Sequence, residues 1–454
     1  TLNTNNESLL LIGIISAQSN FEERQSIRET WLKLAYQESV KHYFVIGNDI
    51  CDIPPEDRVY KESCIEWSVD LKDSSSFSTG EISTAQEQME MFAGITFLVQ
   101  HPIVIHSLAI SAEFVTVSKT YCKVSLYNSV TRERVVSATF SSHDNNSTLL
   151  EKSVEPHVLP KNFEGQLIVE LSTDTGMKKI LGQTGCWMQW NNAGRLITYQ
   201  QLVRRMLEKP VAFHYNSCLP ISMTFTVYEK ESLEKFIMLK NKRKKEFEQE
   251  NVSLKRKLIQ EQEENKDIIF VNVTDVYRNL PRKVLQFFKW AYMNVHFTYL
   301  MKTDDDTFIN IKEVMKKLQV MKKENQSYLH WWSTFREGWI VQSYGKWRED
   351  AYRSTTYPPF PCGAGYVLSK YLVQYLGNDA YDFVYKNFQG EDVSLGIWLA
   401  GLNPIRIYND KNSCIWTCFG KCNPKSCNRA ELSVQSMYQA WDSFTKCNNF
   451  CGCH

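Results

Sequence analysis

Apolar and polar positions alternate along this chain in two different rhythms. "SLLLIGIISA" (residues 8–17) is an unbroken apolar run, the pattern of a strand buried on both faces. In the following "SNFEERQSIRETWLKLAYQ", Asn20 and Glu23 have the spacing of a helix-capping pair, and Ile27, Trp31, Leu34 and Ala35 recur at helical spacing. "HYFVIGN" (42–48) predicts a second strand, so the chain opens as an α/β sheet. From Cys51 to Tyr228 the rhythm shortens to "ITFLV", "PIVIHSLAI", "CKVSLYN", "RVVSATFSS", "QLIVELS" and "MTFTVY", the signature of a β-sandwich, with one helix expected at "YQQLVRRMLEK". Residues 229–267 predict one long amphipathic helix carrying Leu233, Phe236, Ile237, Leu239, Leu254, Leu258 and Ile259. Its basic stretch "KNKRKK" reads as a solvated face.

The α/β rhythm then resumes. "DIIFVNV" and "FTYLMK" are strands and "VLQFFKWAY" is helical, while "INIKEVMKKLQVMKK" puts Ile311, Val314, Met315, Leu318 and Met321 on one helix face. The expected organisation is one α/β sheet formed by residues 1–50 and 229–410, a β-rich domain inserted at 51–228, and a tail at 411–454.

Composition narrows the class. With 52 Lys+Arg against 51 Asp+Glu, the net charge of +1 argues against nucleic acid as a partner. Aromatics make up 13% of residues, which suits sugar-stacking surfaces or a large core. The tail holds Cys414, Cys418, Cys422, Cys427, Cys447, Cys451 and Cys453, which could form a zinc cluster or a set of disulfides. Glycosylation sequons at Asn6, Asn145, Asn146, Asn251, Asn272 and Asn325 favour an oxidising compartment and therefore disulfides. No apolar run is long enough to span a membrane, and the chain starts at Thr1, so we expect a lumenal segment whose membrane anchor lies outside this chain.

Three stretches carry candidate chemistry. In "YLMKTDDDTFIN", Asp304, Asp305 and Asp306 follow a strand, at the sheet edge where α/β proteins bind ligands. Adjacent carboxylates repel, so they form either a solvated loop or a site for Mg²⁺ or Mn²⁺. In "NFQGEDVSLGIWLAG", Glu391 and Asp392 open a helix after Gly390, either as ordinary N-terminal acids or with one of them a general base. In "YPPFPCGAGYVLS", Gly363 and Gly365 would let backbone approach a ligand. "HWWSTFREGW" offers Trp331, Trp332 and Trp339, at most one of which is expected to stack on a sugar.

"RQSIRETW", "YLMKTDDDTFIN", "YPPFPCGAGYVLS" and "EDVSLGIWLAGL", in that order, resemble the β-1,3-glycosyltransferases of the secretory pathway, over roughly residues 8–48 and 229–410. "VTDVYRNLPRKVLQFFKW" is similar to the stretch that precedes that family's metal motif. The resemblance implies a GT-A-type nucleotide-sugar transferase fold, to which the β-rich insert is an addition. It implies an inverting enzyme that uses Mn²⁺ or Mg²⁺ and moves GalNAc from UDP-GalNAc to the 3-hydroxyl of a β-linked GlcNAc. The implied acceptors are glycoprotein glycans, O-mannosyl glycans included. Transferases for galactose or N-acetylglucosamine, and a non-catalytic lectin-like protein, are the alternatives. Carried over by residue, Asp306 and Asp304 hold the metal, and Arg24, Arg28, Lys283, Asp304 and Asp305 hold the donor. Asp392 is the base, and Glu391, Gly363, Gly365, Trp331 and Trp332 are the acceptor-side candidates. The family's histidine downstream of the base has no counterpart before the terminal His454, so Asp410 or a tail cysteine is the expected neighbour of that place. The implied location is the lumen of the Golgi or endoplasmic reticulum, as a single-pass type II membrane protein. The insert is expected to help select the acceptor, with a structural role or a homodimer interface as the alternative.

Overall fold

The computed structural model describes residues 8–453 except 38–39, 70–76, 80–89, 92–93, 113–114, 116–120, 142–148, 173–180, 185–189, 192–195, 204–216, 219–220, 325–328, 343–346, 350, 379–384, 409–412 and 419. Its centre is a seven-stranded sheet. In chain order the strands are β1 (Ser8–Ile15), β2 (Lys41–Asp49), β3 (Ile268–Thr274), β4 (Phe297–Asp304), β5 (His330–Trp332), β6 (Gly365–Ser369) and β7 (Ile405–Ile407). Their spatial order is β3-β2-β1-β4-β6-β5-β7. The first four are parallel, and β6 runs antiparallel to both neighbours. Strands on either side of the β-rich segment thus share one sheet, as the sequence predicts.

Both faces of β1 are covered, which explains its unbroken apolar run. Leu10, Ile12 and Ile14 point into one core with Ile27, Ile311, Val314 and Leu318. Leu11 and Ile15 point into the other with Phe287, Phe288 and Leu395. All five residues expected on the inner face of helix Ile311–Glu324 are buried. At one edge, Ile15 of β1 lies in register with Asp304 of β4.

The intervening segment forms two five-stranded antiparallel sheets. One orders Ile197–Val203, Gly94–Val99, Glu164–Ser172, Tyr121–Asn128 and Arg134–Phe140. The other orders Trp190–Asn191, Phe77–Thr79, Ile221–Val227, Ile103–Ser111 and Leu149–Leu159. Phe97, Val124 and Leu167 of the first share a core with Ile105, Leu108 and Phe225 of the second. The helix expected at 199–209 does not form over residues 199–203. They are extended and pair with Gly94–Val99, because inter-strand hydrogen bonding overrides local helical spacing. Residues 204–209 lie outside the described residues.

The expected long helix is two helices, Lys230–Met238 and Lys240–Asn265. They bury only Leu233 and Leu258, while Met238 and Ile259 are exposed. The helix is therefore mainly a solvated strut. In its basic stretch Arg243 reaches back to Asp57 at 2.6 Å.

The tail is stapled by Cys414–Cys427, Cys422–Cys451 and Cys447–Cys453, and Cys418 joins it to Cys362. It is built into the main core: Asn428–Arg429 pairs with Phe308–Ile309, and Phe444 and Phe450 pack on Phe308. A further bridge, Cys51–Cys64, lies just after β2. Of the sequons, Asn272 is exposed on β3 and Asn251 is half-buried on the long helix. Asn6, Asn145, Asn146 and Asn325 lie outside the described residues. No helix among the described residues is long and apolar enough to cross a membrane.

Candidate active site

A cleft of about 690 Å³ opens where the carboxyl ends of β1, β3 and β4 meet the start of β6. Ser16 and Ala17 follow β1, Asp275 follows β3, and Asp304, Asp305 and Asp306 end β4; all line the cleft. Gly363 and Ala364 enter from the β6 side, and Gln389, Gly390, Glu391 and Asp392 from the start of helix Glu391–Leu399. Ala430 and Glu431 bring the tail in as a further wall. The two acid groups of the sequence reading are thus gathered in one cavity from positions far apart in the chain.

Lys302 joins them. Its Nζ lies 2.8 Å from Asp304 Oδ1 and 2.5 Å from Glu391 Oε1, and donates to the Gly363 carbonyl at 2.6 Å. Burial disfavours its charge, but the carboxylates of Asp304 and Glu391 outweigh burial and raise its pKa above the ordinary lysine value. Sequence reasoning passed over this residue. The signal was there: period two puts Lys302 and Asp304 on one face of β4, and a lysine inside an apolar strand needs a partner.

The three aspartates differ in environment. Asp305 accepts from Asn20 Nδ2 at 3.0 Å, while burial moves its pKa upward. Asn20 therefore does not cap its helix as expected; its side chain is spent on the acid run, and no side-chain cap bond forms there. Asp306 is pushed up to about 6, first by burial and then by the charges of Asp304 and Asp305. Its backbone carbonyl is held by the Leu432 N–H at 2.9 Å. An all-oxygen donor set whose carboxylates raise one another's pKa fits a hard divalent cation.

Glu391 and Asp392 play unequal parts. Glu391 is buried and committed to Lys302, and burial pushes it up to about 7. It also accepts the Asp392 N–H at 2.5 Å. Asp392 Oδ1 accepts the Val393 N–H at 2.8 Å, and Oδ2 lies on the Gly363 side. Burial raises the Asp392 pKa, opposed by that N–H, Lys302 and Arg336, which leaves a more basic carboxylate at the cleft. Gly390 supports this turn with φ +93°, and a Cβ there would sit 2.8 Å from Asp392 Oδ1.

The remaining expected site residues are placed as follows. Lys283 lines the cleft, with Nζ on the Ser16 carbonyl at 2.5 Å and Asp275 Oδ1 at 2.7 Å. Arg24 and Arg28 do not line it, because both are consumed by Glu261, and Arg28 also by Asp267. Trp331 and Trp332 are 1% and 0% exposed, packed on Phe335 and Trp416, so neither presents a stacking face. The exposed cleft aromatics are Trp339, the third tryptophan of that stretch, and Trp347, at 41% and 51% exposure. Arg336 sits 4.8 Å over the Trp339 ring, and Trp347 meets Tyr277 edge-on. Gly365 is a packing glycine, since a Cβ would lie 2.3 Å from Trp416. Gly363 forms cleft wall, and a Cβ there would lie 3.6 Å from Asp392 Oδ2 and Glu391 Oε2. Every tail cysteine is in a disulfide, so none offers a thiolate to a metal, and Asp410 lies outside the described residues.

Comparison with known proteins adds to this geometry. The galactosyltransferase family model matches residues 246–410, the stretch holding both acid groups. The chain is 34% identical to UDP-GalNAc:beta-1,3-N-acetylgalactosaminyltransferase 2 of Danio rerio, over 98% of this chain and 91% of that protein. The Homo sapiens protein of the same description is 30% identical over 98% of this chain and 89% of its own length. Beta-1,3-galactosyltransferase 6 of Mus musculus is 33% identical over 35% of this chain and 48% of its own. The similarity to the first two runs through the β-rich segment; the third matches only about a third of the chain.

Proposed function

The chain belongs to the β-1,3-glycosyltransferase family, and on that premise we propose that it is an inverting transferase moving GalNAc from UDP-GalNAc to the 3-hydroxyl of a β-linked GlcNAc. The observation that carries the reading is the meeting of Asp304, Asp305 and Asp306 with Asp392 across one cleft. Asp392 accepts the proton of the acceptor hydroxyl, whose oxygen bonds to the anomeric carbon. The bond from that carbon to the UDP oxygen breaks on the opposite face, and UDP leaves with the electron pair. Base catalysis of this kind contributes about 10²–10⁴-fold.

Asp306 and Asp304 would hold the cation, with Asp305, steadied by Asn20, toward the donor's sugar and ribose. A bound Mn²⁺ or Mg²⁺ supplies Lewis-acid stabilisation of the leaving diphosphate. Lys302 and Glu391 orient the walls between which donor and acceptor meet. The two β-sheets of residues 51–228 are read as an inserted β-sandwich domain that helps select the acceptor, which the proposal takes to be a glycoprotein glycan such as an O-mannosyl glycan. The disulfides suit an oxidising lumen, and the proposal places the protein in the Golgi or endoplasmic reticulum behind a type II anchor.

The test is a donor screen. UDP-GalNAc, UDP-galactose and UDP-GlcNAc are each incubated with a β-GlcNAc glycoside and Mn²⁺, and the product linkage is assigned by NMR. A β-1,3-linked GalNAc product is expected. Galactose transfer in its place would make the protein a galactosyltransferase, and UDP release from no donor would return the reading to a glycan-binding protein.

A further inference from the structure

The arginines expected at the nucleotide lie one layer behind the cleft. Arg24 is fully buried, and its Nη1 donates to Ser16 Oγ at 2.9 Å and to the Ala17 carbonyl at 2.6 Å. Nη2 reaches the Gln18 carbonyl at 3.4 Å. One guanidinium therefore holds the whole turn that leaves β1. The opposite edge of that guanidinium is gripped by Glu261, with Nε on Oε1 at 2.9 Å and Nη2 on Oε2 at 2.6 Å. A two-point grip of this type fixes the plane of the guanidinium as well as its position.

The turn it holds is part of the site. Ser16 and Ala17 line the cleft, and the Asp305 N–H donates to the carbonyl of Ile15, the residue just before them, at 3.2 Å. A chain of contacts thus runs from Glu261 through Arg24 to the turn after β1, and the acid run is bonded to the end of β1 at Ile15. Glu261 lies near the end of helix Lys240–Asn265, by which the chain returns from the β-rich segment to β3. Arg28 secures the same helix end, with Nη1 on Glu261 Oε1 at 2.7 Å and Nε on Asp267 at 2.7 Å.

We propose that Glu261 is a positioning residue for the nucleotide-sugar donor, acting through Arg24 on the turn at 16–18 that lines the cleft beside the acid run. The proposal rests on the donor reading given above. It ties donor affinity to the seating of the helix that carries the chain back from the insert.

The experiment measures UDP binding by calorimetry in Mn²⁺ on the full chain, with donor and acceptor KM determined in parallel. The variants are Glu261→Gln, Ser16→Ala and Asp57→Asn. Glu261→Gln removes the charge that fixes Arg24, and Ser16→Ala cuts the same chain at its far end without stranding a buried charge. Both are expected to weaken UDP and raise donor KM by about 10-fold to 100-fold, as small misplacements of a binding element do, while acceptor KM stays at the wild-type value. Asp57→Asn breaks the Arg243 pair on the same helix, away from the cleft. It is expected to lower the melting temperature and leave UDP affinity unchanged. Wild-type UDP affinity in Glu261→Gln, or in Ser16→Ala should the first variant not fold, overturns the proposal, as does an equal loss of affinity in Asp57→Asn. Failure of the wild-type chain itself to bind UDP would sink the donor reading and the clamp together, and is recognised by its appearing without any substitution.

Discussion

Replacing Lys302 by Met removes the cation between the two acid groups while keeping most of the side chain's volume. The cost depends on pH, and the dependence follows from the environment of Glu391. With Lys302 present, burial already pushes Glu391 up to about 7. Lys302 acts in the lowering direction, so its removal moves Glu391 higher still. At pH 6 the folded state of both proteins carries a protonated Glu391, and the charge of Lys302 is not needed to balance it. The loss there comes from the Asp304 contact, partly screened because that carboxylate is a third exposed, and from the bond to the Gly363 carbonyl. Such contacts are together worth about 1–3 kcal/mol. Above pH 7 the wild-type Glu391 ionises beside its lysine, whereas the variant must keep a proton that its unfolded chain releases near the ordinary glutamate value. A raised folded-state pKa means stability falls as pH rises toward that value. The variant should therefore lose about a further 1.4 kcal/mol between pH 7 and pH 8. The sum at pH 8 reaches about 2–4 kcal/mol, which overlaps the range for breaking a buried pair. Urea titrations at pH 6 and pH 8, followed by tryptophan fluorescence, measure both numbers. A deficit equal at the two pH values would refute the assignment of Lys302 as the partner of an ionised Glu391.

Three other substitutions probe the cleft. Asp392→Asn is near-isosteric and should lower kcat by about 10²–10⁴-fold with UDP affinity unchanged by calorimetry; near wild-type turnover removes Asp392 from the base role. Asp306→Ala deletes a hard oxygen donor and should weaken Mn²⁺-dependent UDP binding and activity together; equal UDP affinity with and without the substitution would move the cation elsewhere. Gly390→Ala forces a side chain onto a φ of +93° and against Asp392 Oδ1. It should cost about 1–3 kcal/mol of stability and reduce kcat more than either KM, with a wild-type kcat counting against the turn's role in aiming the base.

Much of the fold was legible because apolar periodicity reports burial directly. The unbroken run of β1 predicts a strand covered on both faces, and it has a core on each side. The helical spacing of Ile311 to Met321 gives the buried face of that helix. Legibility failed where a local pattern was overridden from a distance. Residues 199–203 pair with a strand a hundred positions earlier. Asn20 has the chemistry of a helix cap but is drawn to Asp305, 285 positions away. Adjacent tryptophans in "HWW" looked available for stacking, yet the β5 strand lies between β6 and β7 inside the sheet, so both rings are buried against Phe335 and Trp416.

The site itself divides along the same line. Its acids could be found from sequence because their spacing is local: three aspartates at a strand end, and two acids after a glycine at a helix start. Its cations could not be assigned, because a lysine or arginine gives no local sign of which distant carboxylate it will meet. Lys302 turns inward to join both acid groups, whereas Arg24, expected at the nucleotide, turns away to Glu261 and holds the turn from behind. The same long-range pairing explains how the cleft tolerates so many like charges. Asp304 and Glu391 share one buried cation, and Asp305 accepts from the neutral amide of Asn20. Asp306 has no cation of its own among the contacts described; its pKa is raised, and its main chain is pinned by the tail. On the proposed reading, it is the carboxylate at which an added divalent cation would relieve repulsion from Asp304 and Asp305.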